Sequence, residues 1–178
     1  MTTWVAFLRA LNVGGRRLTN QQLAEAVGAC GMRDVRTFLA SGNVVFGSDV
    51  RDEEDVVAAL EEGLEGSLGY EVPAFVRPAA EVRELSAATP FQGRGGSPEG
   101  KPQVMFLTSP IREDHHDRLA ELTPAGELLV PDGRHLHWLP QSGISTSSLD
   151  LTALDAIIGP CTVRTRNTVV RLAGKYLS

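Results

Sequence analysis

Residues 4–15 read Trp4-Val5-Ala6-Phe7-Leu8-Arg9-Ala10-Leu11-Asn12-Val13-Gly14-Gly15. Side chains alternate between the two faces of a strand, so Trp4, Ala6, Leu8 and Ala10 share one face and Val5, Phe7, Arg9 and Leu11 the other. Both faces are largely apolar, which predicts a central strand over Trp4–Leu11, covered on two sides. The Asn12-Val13-Gly14-Gly15 stretch then breaks it. A helix is expected over Leu18–Cys30, with its start signals in order. Thr19 serves as N-cap, Gln22 closes a capping box, and Leu18 with Leu23 forms a hydrophobic staple. Leu23, Ala26, Val27 and Cys30 recur at i, i+3, i+4, i+7 as one buried stripe. Gly31 suits the position just past the helix end.

Working outward, Val35–Ala40 and Val44–Phe46 read as two short strands joined at Ser41-Gly42-Asn43, a tight-hairpin composition. Asp49 or Asp52 starts the next helix, whose acidic first turn (Asp52, Glu53, Glu54, Asp55) complements the helix dipole. Val56, Val57, Leu60 and Leu64 supply its apolar face, and Val72–Val76 is a fourth strand. The order so far is β-α-β-β-α-β, the split unit of ferredoxin-like folds. Beyond it come a helix over 79–87 and a Gly- and Pro-rich mobile loop over Thr89–Pro102. A strand follows at Val104–Leu107, then a helix at Arg112–Leu122. Leu128–Val130 and Leu136–Leu139 make a hairpin around Pro131-Asp132-Gly133, and helices at Ser148–Ile158 and Thr168–Leu177 close the chain. The expected fold class is α+β. A ferredoxin-like half spans 1–78, and a second, distorted α/β half spans 79–178. The second half is expected to cover the exposed face of the first and share its core as a single compact unit.

The chain has 178 residues, 42% hydrophobic and 22% charged, which excludes disorder and a fibrous protein. Lys and Arg total 17 against 22 Asp and Glu, for a net charge of −5. That sign disfavours bulk DNA or an anionic membrane as partner. Two cysteines, Cys30 and Cys161, make no disulfide framework at this size and read as reduced structural thiols. The N-terminal apolar run is interrupted at Arg9 and reads as a strand, not a signal peptide. No window holds the 18 or so apolar residues of a membrane span. These features together predict a cytoplasmic protein.

Two stretches carry a resemblance. They are Phe7-Leu8-Arg9-Ala10-Leu11-Asn12-Val13-Gly14-Gly15, and Val35 to Phe46 with its Ser41-Gly42-Asn43-Val44-Val45-Phe46 end. Together they resemble a bacterial family, the domain of unknown function 1697. That family opens with Leu-Arg-Gly-Ile-Asn-Val-Gly-Gly and continues with Ser-Gly-Asn-Val-Val-Phe. Trp138-Leu139-Pro140 with Gly143 and Ser147 is similar in outline to a later family segment. Thr162 to Val169 is similar to its Thr-Thr-Arg-Asn-Trp-Asn-Thr-Val ending. Ala10 stands where the family usually has Gly, and Thr165 and Arg166 replace its Asn and Trp, removing an aromatic at that spot. The resemblance implies an α+β fold and a soluble bacterial protein, with no established activity.

Ferredoxin-like order 4-1-3-2 places the exit of the first strand beside the hairpin feeding the third. Asn12–Gly15 and Ser41–Asn43 are therefore expected to meet at one sheet edge. There Gly14 and Gly15 would offer backbone N–H groups, Asn12, Ser41 and Asn43 side-chain donors, and Arg9 a positive charge. The alternative is that Gly14, Gly15 and Gly42 serve turns that need φ > 0. A second candidate is Arg164 and Arg166, projecting from one face of an extended segment, with Asn167 capping the last helix. Surface pairing of these arginines with acids is the competing reading. His135 and His137 share a strand face in a geometry open to a metal, but no Cys, Asp or Glu flanks them at ligand spacing. His115-His116 sits on a solvated helix start. Gly143–Ser147 is not a nucleophile elbow, because Ser147 occupies the final Gly position.

No P-loop pattern is present, and no cofactor or metal is implied. No nucleophile or general base stands out, so no reaction is assigned. The ligand-binding candidates are Arg9, Asn12, Gly14, Gly15, Ser41, Gly42, Asn43, Arg164 and Asn167. They favour a module for a small anionic or phosphorylated ligand at the sheet edge. Two alternatives stand beside it. One is single-stranded nucleic-acid binding on the sheet face, disfavoured because Phe7 and Phe46 are expected to be buried. The other is a non-catalytic interaction protein in which the turns only build the scaffold.

Overall fold

The computed structural model describes residues 1–96 and 100–178. The chain forms two compact units, Met1–Glu84 with Leu172–Ser178, and Leu85–Arg171.

The first unit runs β1 (Thr2–Leu8), α1 (Asn20–Ala29), β2 (Arg33–Phe38), β3 (Asn43–Ser48), α2 (Glu53–Leu68) and β4 (Ala74–Pro78). Its sheet has the order β2-β3-β1-β4, with β1 antiparallel to both β3 and β4. The first strand is central, as its two apolar faces require. Trp4, Ala6 and Leu8 face the helices with Val44, Phe46, Val56, Leu60 and Leu64 in one core. Removing each buried Val, Leu or Phe side chain of this core from water stabilises by roughly 1.5–3 kcal/mol. Val5 and Phe7, on the other face, are fully buried too. The local start signals act as read. Thr19 accepts from the Gln22 N–H at 3.1 Å and the Gln22 side chain accepts from the Thr19 N–H at 2.9 Å. Asp52, not Asp49, caps α2 through the N–H groups of Glu54 and Asp55.

Several boundaries shift by one to three residues from expectation, among them β2 at Arg33–Phe38 for the expected 35–40 and β4 at Ala74–Pro78 for the expected 72–76, and the shift in β1 has a backbone cause. The strand ends at Leu8 and not at Leu11, because Ala10 takes φ +61 and turns the chain. This left-handed conformation costs an L-residue roughly 1–2 kcal/mol, and Gly adopts it freely. It accounts for the family's usual Gly at the position Ala10 fills. Ala10→Gly is therefore expected to stabilise the protein by about 1 kcal/mol, after the entropy of a more flexible unfolded chain is subtracted. The check is the urea midpoint at constant slope. A lowered midpoint would contradict the strain at Ala10.

From the end of the first unit, α3 (Ala79–Ala87) leads into the second. The elements that follow are β5 (Gln103–Leu107), a 3-10 turn over Glu113–His115, α4 (His116–Leu122), β6 (Leu128–Asp132), β7 (His135–Leu139), α5 (Leu151–Ile158), β8 (Cys161–Thr165) and α6 (Arg166–Tyr176). The sheet order is β6-β7-β5-β8, again antiparallel throughout. Position for position this is the topology of the first unit, so the second half is a complete βαββαβ unit. The element absent from the sequence reading is β8, which pairs with β5 from Gln103↔Thr165 to Leu107↔Cys161. Of the expected mobile loop Thr89–Pro102, residues 97–99 lie outside the described residues. The core of this unit gathers Met105, Leu107, Leu119, Leu136, Trp138, Leu149, Leu154 and Ile158. Among the described residues no helix is long and apolar enough to cross a membrane. Neither Cys30 nor Cys161 is in a disulfide. The Cys30 thiol donates to the Ala26 carbonyl at 3.2 Å, and burial pushes its pKa up, as for an unreactive thiol.

Candidate functional site

The two glycine-containing turns of the first unit meet at one end of its sheet. The Leu8 N–H donates to the Gly42 carbonyl at 2.8 Å, and the Asn12 amide donates to the Ala40 carbonyl at 3.4 Å. Asn12 also accepts from the Leu18 N–H at 3.0 Å, tying the loop to the start of α1. The Tyr70 hydroxyl donates to the Leu11 carbonyl at 3.0 Å, and the Arg16 guanidinium lies 4.0 Å above the Tyr70 ring. These contacts fasten the loop. Both turns also hold a non-glycine residue at positive φ: Ala10 at +61 and Leu39 at +58. Paired strain of this kind persists only where the surroundings over-determine it.

The candidate residues divide by what their polar groups already do. Asn43 is fully buried, and its amide donates to the Phe38 carbonyl and to Ser41 Oγ, each at 2.8 Å. Its amide and that of Asn12 hold the turns, so they act as a frame and not as exposed donors. Gly42 takes φ +75 in a tight space, where a Cβ would lie 2.7 Å from Leu11 Cδ1 and 3.1 Å from the Leu8 carbonyl oxygen. Gly14 and Gly15 differ. They take φ +69 and +80 in open space, and no hydrogen bond among the described residues uses their N–H groups. Arg9, Arg16 and Arg17 flank them, all exposed.

The second candidate does not assemble as read. Arg164 lies in β8 and is buried, its guanidinium donating to Thr162 Oγ1 and the Val163 carbonyl, each at 2.8 Å. Burial brings its pKa down to about 10. Arg166 is the first residue of α6, and its guanidinium donates to the Ser86 and Ala88 carbonyls at 3.1 and 2.8 Å. The strand ends between the two arginines, so they do not share a face. Asn167 is not the cap. Thr165 Oγ1 accepts from the Thr168 N–H at 3.1 Å and takes that role.

A feature without a single-motif signal lies in the second unit. An open cleft of about 490 Å³ is lined by Ala88, Thr89, Pro90, Gln92, Arg94, Val130, Pro131, Asp132 and His137. The volume is within the range of small-molecule sites. His137 is buried, and its Nε2 lies 3.2 Å from Asp132 Oδ2. Its Nδ1 has no hydrogen-bond partner among the described residues. Burial pushes the imidazole below its ordinary pKa, the Asp132 carboxylate acts against that shift, and Arg166 adds to it. His135, on the same strand face, meets the Phe106 ring edge-on at 5.4 Å. Among the described residues no group of three or more His, Cys, Asp or Glu is placed to hold a metal ion. Behind the hairpin, the buried Glu127 carboxylate accepts from Trp138 Nε1 at 2.9 Å and from Ser147 Oγ at 2.8 Å.

Two units of βαββαβ topology in one chain, with a glycine-arginine loop at one end of the first unit's sheet, define an α+β protein of tandem ferredoxin-like construction. The chain belongs to the family described as protein of unknown function (DUF1697), whose model matches residues 1–137. The match takes in both N-terminal motifs, and the segments from Trp138 onward lie beyond it. No curated protein matches the sequence. Among solved structures, a conserved bacterial protein from Streptococcus pneumoniae, SP0830, is similar to this chain. The TM-score is 0.72 at 19% identity, over 97% of both chains. At that identity the likeness shows the fold.

Proposed function

We propose that the protein binds a small anionic ligand, of phosphate or phosphorylated type, at the Arg9–Gly15 loop. One observation carries this reading. Gly14 and Gly15 present successive unused N–H groups in an exposed loop that Asn12 and Tyr70 hold in shape. Adjacent backbone N–H groups in a turn form a concave donor set suited to an anion. Arg9, Arg16 and Arg17 add positive charge there, although the chain as a whole is acidic. In this reading Ser41, Gly42 and Asn43 brace the loop from the neighbouring turn, and only the glycine N–H groups and arginines touch the ligand. Phe7 and Phe46 are fully buried in the sheet, so it offers neither as a stacking platform for nucleic acid.

Thermal shift against phosphate, pyrophosphate, nucleotides and sugar phosphates tests the proposal. A ligand at a hundred times its Kd stabilises by about 2.7 kcal/mol, which raises Tm by roughly 5–10 °C in a protein of this size. Each charge-assisted contact contributes about 1.5–3 kcal/mol, so Arg9→Ala and Arg16→Ala are each expected to weaken binding about tenfold or more. A flat panel, or affinity that both variants leave unchanged, would overturn the assignment.

A further inference from the structure

The cleft between the 88–94 loop and the β6–β7 hairpin holds two opposite charges without a mutual partner. Among the described residues, Arg94 enters no ion pair, and the only one made by Asp132 is with His137. Both side chains are exposed and line the same hollow, with Thr89 and Gln92 beside them as neutral polar groups. Below them, Pro90, Val130 and Pro131 give an apolar floor. The loop wall is not slack. The Gln92 N–H donates to the Thr89 carbonyl at 3.2 Å, and the Arg94 N–H donates to the Phe91 carbonyl at 3.1 Å. Arg166 holds the rim by donating to the Ala88 carbonyl. The hairpin wall is equally fixed, since β6 and β7 pair from Leu128↔Leu139 to Asp132↔His135.

We propose that this cleft binds a small organic zwitterion of the amino-acid class, with Arg94 receiving the carboxylate and Asp132 the ammonium group. A guanidinium matches a carboxylate through two parallel N–H donors, and a carboxylate accepts from an ammonium in the same charge-assisted way. A simple anion would use Arg94 and meet repulsion from Asp132. A simple amine would meet the reverse. Only a ligand carrying both charges satisfies both walls, and the apolar floor accommodates a short side chain. His137 is a positioning residue. Its Nε2–H donates to Asp132 Oδ2 and fixes the carboxylate, and while the ring is neutral Asp132 keeps its full negative charge for the ligand. The charged groups acting on the imidazole are Asp132 from its own hairpin and Arg166 from the start of α6. This site is separate in the chain from the Arg9–Gly15 loop and stands whether or not that loop binds phosphate.

Calorimetric titration of the whole protein with the common L-amino acids tests the proposal. Each is paired with the carboxylic acid lacking its amine and the amine lacking its carboxylate. At least one amino acid is expected to bind in the millimolar range or tighter, and both paired analogues at least tenfold more weakly. Asp132→Asn and Arg94→Ala are exposed substitutions that leave the fold intact, and each is expected to lower affinity tenfold or more. Affinity should also fall as pH drops below the ordinary imidazole range, because an imidazolium would neutralise Asp132. In His137→Gln that pH dependence should disappear. Binding of the carboxylic acid as tight as that of the amino acid, insensitivity to both substitutions, or no binding by any amino acid would overturn the assignment.

Discussion

Gly42→Ala is expected to destabilise the protein by about 2–4 kcal/mol. The position takes φ +75, and an L-residue there costs about 1–2 kcal/mol before any contact is counted. The new Cβ would also fall 2.7 Å from Leu11 Cδ1, 3.1 Å from the Leu8 carbonyl oxygen and 3.3 Å from Leu8 Cβ. Leu11 can rotate away, but it is buried in the first core and leaves a gap when it does. The Leu8 backbone cannot move alone, because its N–H is bonded to the Gly42 carbonyl. Strain and displacement therefore act on the same turn. Denaturant unfolding gives the magnitude, and a loss under 1 kcal/mol would mean the two turns are not locked together as described. Because both turns frame the Gly14-Gly15 loop, the variant should also weaken phosphate binding.

Glu127→Ala is expected to cost about 3 kcal/mol, more than a typical substitution. The Glu127 carboxylate is buried and is the acceptor for both the Trp138 indole N–H and the Ser147 hydroxyl. Trp138 is itself almost wholly buried in the second core and pairs with Gln103 and Leu129 across the sheet. Removing the carboxylate leaves an indole N–H buried without a partner, and a buried donor left unsatisfied costs roughly 1–3 kcal/mol. The Ser147 hydroxyl loses its acceptor as well, at a net cost of about 1 kcal/mol, and the two losses together come to about 3 kcal/mol. Glu127→Gln keeps an acceptor oxygen and should lose less than half as much. Equal losses in the two variants would show that packing, not the hydrogen bonds, carries the effect. Tryptophan fluorescence reports on the site directly, with Trp4 as the other emitter.

The two predictions fall on different kinds of legibility. Thr19 with Gln22, and Asp52 before an acidic turn, declare helix starts through hydrogen bonds only two or three residues long. Such signals survive in the sequence because no distant partner is needed. The meeting of the Asn12–Gly15 and Ser41–Asn43 turns was legible too, because strand order follows from the βαββαβ pattern. The occupation of the donors was not. Whether the Asn43 amide faces solvent or the Phe38 carbonyl depends on the pairing of Phe38 with Asn43 at the hairpin end of the β2–β3 ladder and on a side-chain rotamer, which the sequence does not display. The strand Cys161–Thr165 escaped for a related reason. It is five residues long, and its middle alternates Thr162, Val163 and Arg164. Its partner β5 lies about sixty residues away. Burial of Arg164 follows only from that pairing. The cleft is the extreme case, since its walls come from a loop at 88–94 and a hairpin at 130–137 with no shared motif.

The most direct test of the anion-binding account is a two-dimensional amide NMR titration of the 15N-labelled protein with inorganic pyrophosphate. The account predicts saturable shifts concentrated at the Gly14 and Gly15 amides, with smaller ones at Arg9 to Val13 and at Ser41 and Gly42. Resonances of Gly14 and Gly15 that stay fixed up to tens of millimolar pyrophosphate would contradict it and leave those glycines as turn formers alone.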